Sequence, residues 1–128
     1  GSWCNNKRLR VSKRHDLTNC LIGTGIPFGN RVYKNFYKEL DNMSKNSAGV
    51  RRLGAAALDL AYVASGKIDG FWERDLNLWD ISSGVLLVKE AGGKITEPDG
   101  KKWTTNSRDI VVSNSLIHNK LTENLTLL

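Results

Sequence analysis

Residues 71–93, FWERDLNLWDISSGVLLVKEAGG, set an apolar run ending in an acid, a charged turn and an apolar segment closed by glycines in direct succession. The run from Ile68 to Glu73 reads as a strand, and Arg74 and Asp75 mark the turn after it. Val85, Leu86, Leu87 and Val88, followed by Ala91, Gly92 and Gly93, read as a helix with Asp80 in its first turn and glycine at its end. An aspartate in that place ordinarily serves as a cap, since its oxygens accept from exposed amides and its charge suits the positive end of the helix. Glu73, at the strand end, sets a second carboxylate towards the same rim as Asp80. Strand ends that face helix starts are where open α/β sheets place ligands, and hard oxygen donors of this kind suit Mg²⁺. Two carboxylates leave such a site incomplete.

Outward from that stretch the elements alternate. Leu9 and Val11 alternate with Arg8, Arg10 and Ser12, which predicts a half-exposed strand. Residues 19–23 read as a buried strand ended by the turn Thr24-Gly25-Ile26-Pro27, and Val32, Phe36, Tyr37 and Leu40 predict a helix over 31–45. A short strand over 48–53 leads to an alanine- and leucine-rich helix that starts at Gly54 and stops at Ser65-Gly66. After the helix of the quoted stretch come a strand over 94–96, a turn at Pro98-Asp99-Gly100, a strand over 110–113 and a last helix over 115–124. This rhythm predicts a layered α/β domain, with residues 1–128 as a single unit.

The chain has 128 residues, 40% hydrophobic and 25% charged, enough for one sizeable core. No apolar run approaches the roughly 20 residues that cross a bilayer, and no leader precedes a cleavage site, so the expected address is cytoplasmic and no membrane partner is expected. Cys4 and Cys20 lack metal spacing, and both are expected to be reduced thiols. Gly1-Ser2 is assigned no structural weight. His15 and His118 lie in no nucleophile or zinc motif, and His118 is expected at the surface of a polar terminal helix. Glu90, near a helix end, is read as structural.

Three blocks in order, NNKRLRVSKRHDLTNCLIGTGIPFG, GVRRLGAAALDLAYVASGKIDGFWE and WDISSGVLLVKEAGGKIT, resemble the C-terminal half of the inositol monophosphatase family, most nearly its bacterial SuhB-like members. The resemblance implies the family's α/β sandwich and a Mg²⁺-dependent, Li⁺-sensitive phosphatase acting on inositol monophosphate or a similar small polyol phosphate. Relatives acting on histidinol phosphate, fructose bisphosphate or phosphoadenosine phosphate share the motifs. It further implies that Asp80 is a metal ligand buttressed by Trp79, and that Glu73 accepts hydrogen bonds from ring hydroxyls. The backbone of Gly54, Ala55 and Ala56 would meet the sugar or inositol ring. From the residues alone those three small side chains fit tight helix-on-sheet packing better than close approach of an anion or a hydroxyl to free helix amides, and the resemblance reverses that preference. Arg51 and Arg52 are candidates for binding an anionic substrate or for joining subunits. Ile26, Pro27 and Phe28 stand where some animal members carry polar residues, which argues against a sugar contact from that loop.

The family's first signature, an Asp-Pro-Leu-Asp-Gly-Thr type loop with an upstream Glu-Glu pair, has no counterpart in residues 1–128. The resemblance therefore implies that the half supplying most metal ligands is missing, and that this chain alone is inactive or nearly so. It also implies a homodimer and, for SuhB-like members, association with RNA polymerase or RNA. Lys7, Arg8, Arg10, Lys13 and Arg14 crowd the start of a chain of net charge +6, and such clusters attract phosphates of any origin. The other reading of these bases is a solvated strand face.

Overall fold

Residues that alternate between two apolar neighbourhoods define the centre of the molecule. In the computed structural model, which describes residues 1–26 and 35–126, strand β5 (Gly70–Glu73) sends Phe71 into one core and Trp72 into another. Strand β7 (Ile110–Ser113) does the same, with Ile110 and Val112 on the first side and Val111 on the second. Successive side chains of a strand point to opposite faces, so both strands are covered on both sides.

With β3 (Leu21–Thr24), β4 (Gly49–Arg51) and β6 (Lys94–Thr96), these strands form one five-stranded sheet in the order β4-β3-β5-β7-β6. β3 runs parallel to β4 and to β5, whereas β7 runs antiparallel to β5 and β6. A separate short hairpin pairs β1 (Trp3–Cys4) with β2 (Lys7–Arg8).

Helices α2 (Ala56–Ala64) and α3 (Leu78–Glu90) cover the first face. Leu60, Val63 and Ala64 of α2 and Ile81, Val85 and Val88 of α3 fall at helical spacing and are buried with Phe71, Ile110 and Val112. The two helices meet at Gly84, where a Cβ would stand 2.5 Å from Leu60 Cδ1. Helices α1 (Phe36–Asn46) and α4 (His118–Glu123) lie over the second face, where Met43 and Leu121 pack with Ile22, Trp72 and Val111. The layered α/β sandwich expected from the sequence is therefore present, with helices on both faces.

Several expectations change. Leu9 and Val11 belong to no strand of the sheet. The backbone there is extended over the end of α3, with the Val11 amide donating to the Ala91 carbonyl at 3.1 Å, and both side chains pack on the first core. Residues Leu17–Asn19 form a 3-10 turn, initiated by Asp16, so β3 begins later than expected. Gly54 precedes α2 rather than starting it; its φ of +86° turns the chain into the helix, a conformation glycine adopts without strain. The helix expected over 31–45 is present from Phe36, and the residues expected to begin it lie outside the described residues. Ser2 is buried and its hydroxyl donates to the Leu87 carbonyl, which overturns its dismissal as structurally idle.

His118 is buried rather than exposed, at 2%. Thr96 Oγ1 donates to the Glu97 carbonyl at 2.8 Å and also lies 2.8 Å from His118 Nε2, so Nε2 carries the ring hydrogen. Nδ1 then accepts from the Ser113 hydroxyl at 2.7 Å. Burial, and secondarily the charge of Lys94, pushes the imidazole down to about 4. Cys4 is exposed and Cys20 buried, and both are free thiols.

Candidate functional site

Sheet geometry gathers one end of β3, β5 and the starts of α2 and α3 around a cavity of about 500 Å³. Its walls include Gly25, Ile26, Arg52, Gly54, Ala55, Ala56, Ala57, Glu73, Arg74, Trp79 and Asp80. Of the residues singled out from the sequence, Glu73, Asp80, Gly54, Ala55 and Ala56 are brought together here. Arg51 is not: it lies exposed on the edge strand β4, and its neighbour Arg52 takes the place at the cavity wall. Trp79 stands 78% exposed beside the cavity, which leaves little packing with which to buttress Asp80. Pro27 and Phe28 lie outside the described residues.

The start of α2 has no side-chain cap at Ala55, so the first amides of the helix open onto the cavity without a side chain of the cap in front of them. The cap residue of α3 is Asn77, which also makes no side-chain capping bond, and Asp80 sits exposed in the first turn. Asp80 therefore is not the cap that its position first suggests.

Glu73 ends β5, half-buried, and Gly25 makes room for it: a Cβ at Gly25 would overlap the Glu73 carboxyl. Burial first, and the charge of Asp80 second, pushes the Glu73 carboxyl up to about 7. Beneath it lies a residue that the sequence reading passed over. Asp59 is 1% exposed, and its Oδ1 is buried without a hydrogen-bond partner. A Cβ at Gly23 would stand 2.6 Å from that oxygen. Burial, then the charge of Glu73, raises Asp59 to about 7. The signal was present in the sequence: Asp59 occupies a core position of α2, on the side of Ala56, Leu60 and Val63.

The turn between Glu73 and α3 is held by a charged network. The Arg74 guanidinium donates to Glu39 of α1 and, through Nη1, to Asp109 Oδ2 at 3.1 Å. Glu39 is 5% exposed and also accepts from Trp72 Nε1 at 3.2 Å. Burial raises the Glu39 carboxyl, against the opposing pull of Arg74.

The Glu73 and Asp80 carboxyls at the cavity wall bear hard oxygen donors, yet among the described residues no group of three or more His, Cys, Asp or Glu is arranged to hold a metal ion. Of the basic run at the start, Arg14 is committed to the buried Asp69 at 3.2 Å, and Arg10 reaches the Glu90 carbonyl at 3.5 Å. Lys7 and Arg8 are exposed in the β1-β2 hairpin. Among the described residues no helix is long and apolar enough to cross a membrane.

Comparison with known proteins finds relatives in sequence and in fold. Inositol-1-monophosphatase of Mesorhizobium japonicum is 46% identical over 122 residues, covering 94% of this chain and 46% of that protein. Nus factor SuhB of Pseudomonas aeruginosa is 43% identical over 118 residues, 90% of this chain and 44% of that protein. The crystal structure of extragenic suppressor protein suhB from Bartonella henselae superposes with a TM-score of 0.90 at 43% identity, covering 95% of this chain and 48% of that one. The chain thus spans about half the length of the relatives it matches. Residues 1–127 match the inositol monophosphatase family, and the chain belongs to that family.

Proposed function

We propose that this chain is the C-terminal half of a Mg²⁺-dependent phosphomonoesterase acting on inositol monophosphate or a similar small polyol phosphate. The observation that carries the reading is the single cavity onto which Glu73, Asp80 and the uncapped start of α2 all open. Glu73, when ionised, accepts hydrogen bonds from ligand hydroxyls at both oxygens. The amides at the start of α2 meet a hydroxyl or anion closely, because Gly54, Ala55 and Ala56 place little side chain in front of them. Asp80 provides one carboxylate to the metal, with the remaining donors in the half this chain lacks relative to its relatives. Bound Mg²⁺ would stabilise charge on the leaving ester oxygen and activate the attacking water. The test is phosphate release from inositol 1-phosphate with Mg²⁺, by this chain alone and by the protein extended upstream. Silence alone with activity when extended is expected; activity of the isolated chain would overturn the half-site.

A binding role comes second, favoured by the SuhB-named relatives and the net charge of +6. Retention on RNA or RNA polymerase by Asp80→Asn in the extended protein tests it, and loss of binding together with activity would sink it. Arg51, exposed on the edge strand, is left for a subunit contact in a homodimer. An unchanged solution mass of Arg51→Ala would remove it from that role.

A further inference from the structure

Between Glu73 and Asp80 the chain makes one tight turn, and its geometry decides whether the two carboxyls open onto the same cavity. Asp75 in that turn has φ +57°, in the left-handed region that aspartate enters more readily than most side chains other than glycine. Two hydrogen bonds hold Asp75 there and a third fixes the residue after it. The Asp75 amide donates to Asp109 Oδ1 at 3.0 Å, Arg108 Nη1 donates to Asp75 Oδ1 at 3.2 Å, and the Leu76 amide donates to the Arg108 carbonyl at 2.8 Å.

Arg74 joins this turn to the rest of the fold. Its Nε lies 3.1 Å from Glu39 Oε2 and its Nη2 donates to the same oxygen, while Nη1 bonds Asp109. One guanidinium thus ties α1 and the segment before β7 to the residue directly after Glu73. A planar fork with several fixed donors spans two carboxylates in a way a lysine cannot. Arg74 lines the cavity, yet its charge is already met by Glu39 and Asp109, which makes it a poor ligand for a substrate phosphate.

We propose that Arg74 is a positioning residue for Glu73 and Asp80, clamped by Glu39 and Asp109 so that both carboxyls meet one ligand. The proposal rests on the reading of those carboxyls given above. A displacement of about 1 Å in groups that must converge on one ligand costs up to a hundredfold in what they do together.

The test uses the upstream-extended protein with Mn²⁺ as the metal probe and inositol 1-phosphate as substrate. Arg74→Met alone would strand the buried Glu39, so it is combined with Glu39→Gln, which keeps an acceptor for Trp72. The double variant is expected to weaken Mn²⁺ binding, measured by calorimetry, and to raise KM, each on the order of tenfold. Val63→Ala, a core change away from the cavity, serves as the control; it should lower Tm while leaving both quantities in place. Asp109→Asn, at a partly exposed position, gives an independent reading in the same direction should the double variant fail to fold. Wild-type Mn²⁺ affinity and KM in a folded double variant, or in Asp109→Asn, would overturn the clamp. Asp80→Asn without any loss of Mn²⁺ binding would overturn the reading of the site itself, whatever Arg74 does.

Discussion

Acidification should unfold this protein through His118. The ring is buried, neutral, and hydrogen-bonded at both nitrogens, with Nδ1 accepting from Ser113. Ser113 Oγ in turn accepts from the Ser115 amide at 3.0 Å, so a proton on Nδ1 would set two donors against each other in a site closed to water. A folded value of about 4 against 6.5 in the unfolded chain means the unfolded state binds more protons between those limits. The contribution of the neutral ring is therefore whole above pH 6.5 and is lost as pH falls from 6.5 towards 4. At 1.36 kcal/mol per unit the loss is about 2.5 kcal/mol by pH 4.5, a large part of the stability of a small domain. The assay is urea unfolding of wild type and His118→Gln between pH 7.5 and 4.5, because glutamine offers a donor and an acceptor but does not titrate. Carboxylates that titrate over the same range cancel in the difference. Wild type should be the more stable at pH 7.5, with the advantage shrinking as pH falls. Parallel stability curves for the two proteins would refute the reasoning.

Two further expectations come from the same coordinates. Asp59 has the opposite sign to His118: its folded value of about 7 lies above the ordinary 3.8, so it destabilises as pH rises through that window. Asp59→Asn should gain stability over wild type at pH 8.5, by about 4 kcal/mol at most, and little or none at pH 4. An equal effect at both values in urea unfolding would show that Asp59 does not titrate abnormally. Gly84→Ala sets a helix gain of about 1 kcal/mol against overpacking on Leu60 of about 1–3 kcal/mol. A net loss of about 1 kcal/mol is expected by thermal unfolding, and a stabilised variant would mean that α2 and α3 separate freely.

The alternation of strands and helices was legible because apolar periodicity is a local property: α1, β5 and α3 each carry their own pattern in consecutive residues. The common rim of Glu73 and Asp80 was legible from a strand end facing a helix start, whereas the arrival of Gly54 beside them was legible only through the family motifs, since no spacing says that α2 starts where β5 ends. Leu9 and Val11 misled because alternation reports one buried face, and a segment crossing a helix end produces it as well as a sheet does. His118 was misplaced because its partners, Thr96 and Ser113, come from two other elements, and a polar helix sequence gives no sign of them. Arg51 and Arg52 are adjacent in sequence, and only the fold separates the one on the edge strand from the one at the cavity.

Strand β5 also limits how this sequence can change in length. Its four residues serve both cores and end in Glu73, with β3 on one side and β7 on the other fixing the register. A single inserted or deleted residue there would exchange Phe71 and Trp72 between layers and carry Glu73 away from Gly25. In the connection between β6 and β7, residues 104–106 are exposed beyond the core-packed Trp103, so insertions should accumulate there, while β5 keeps its length among functional descendants.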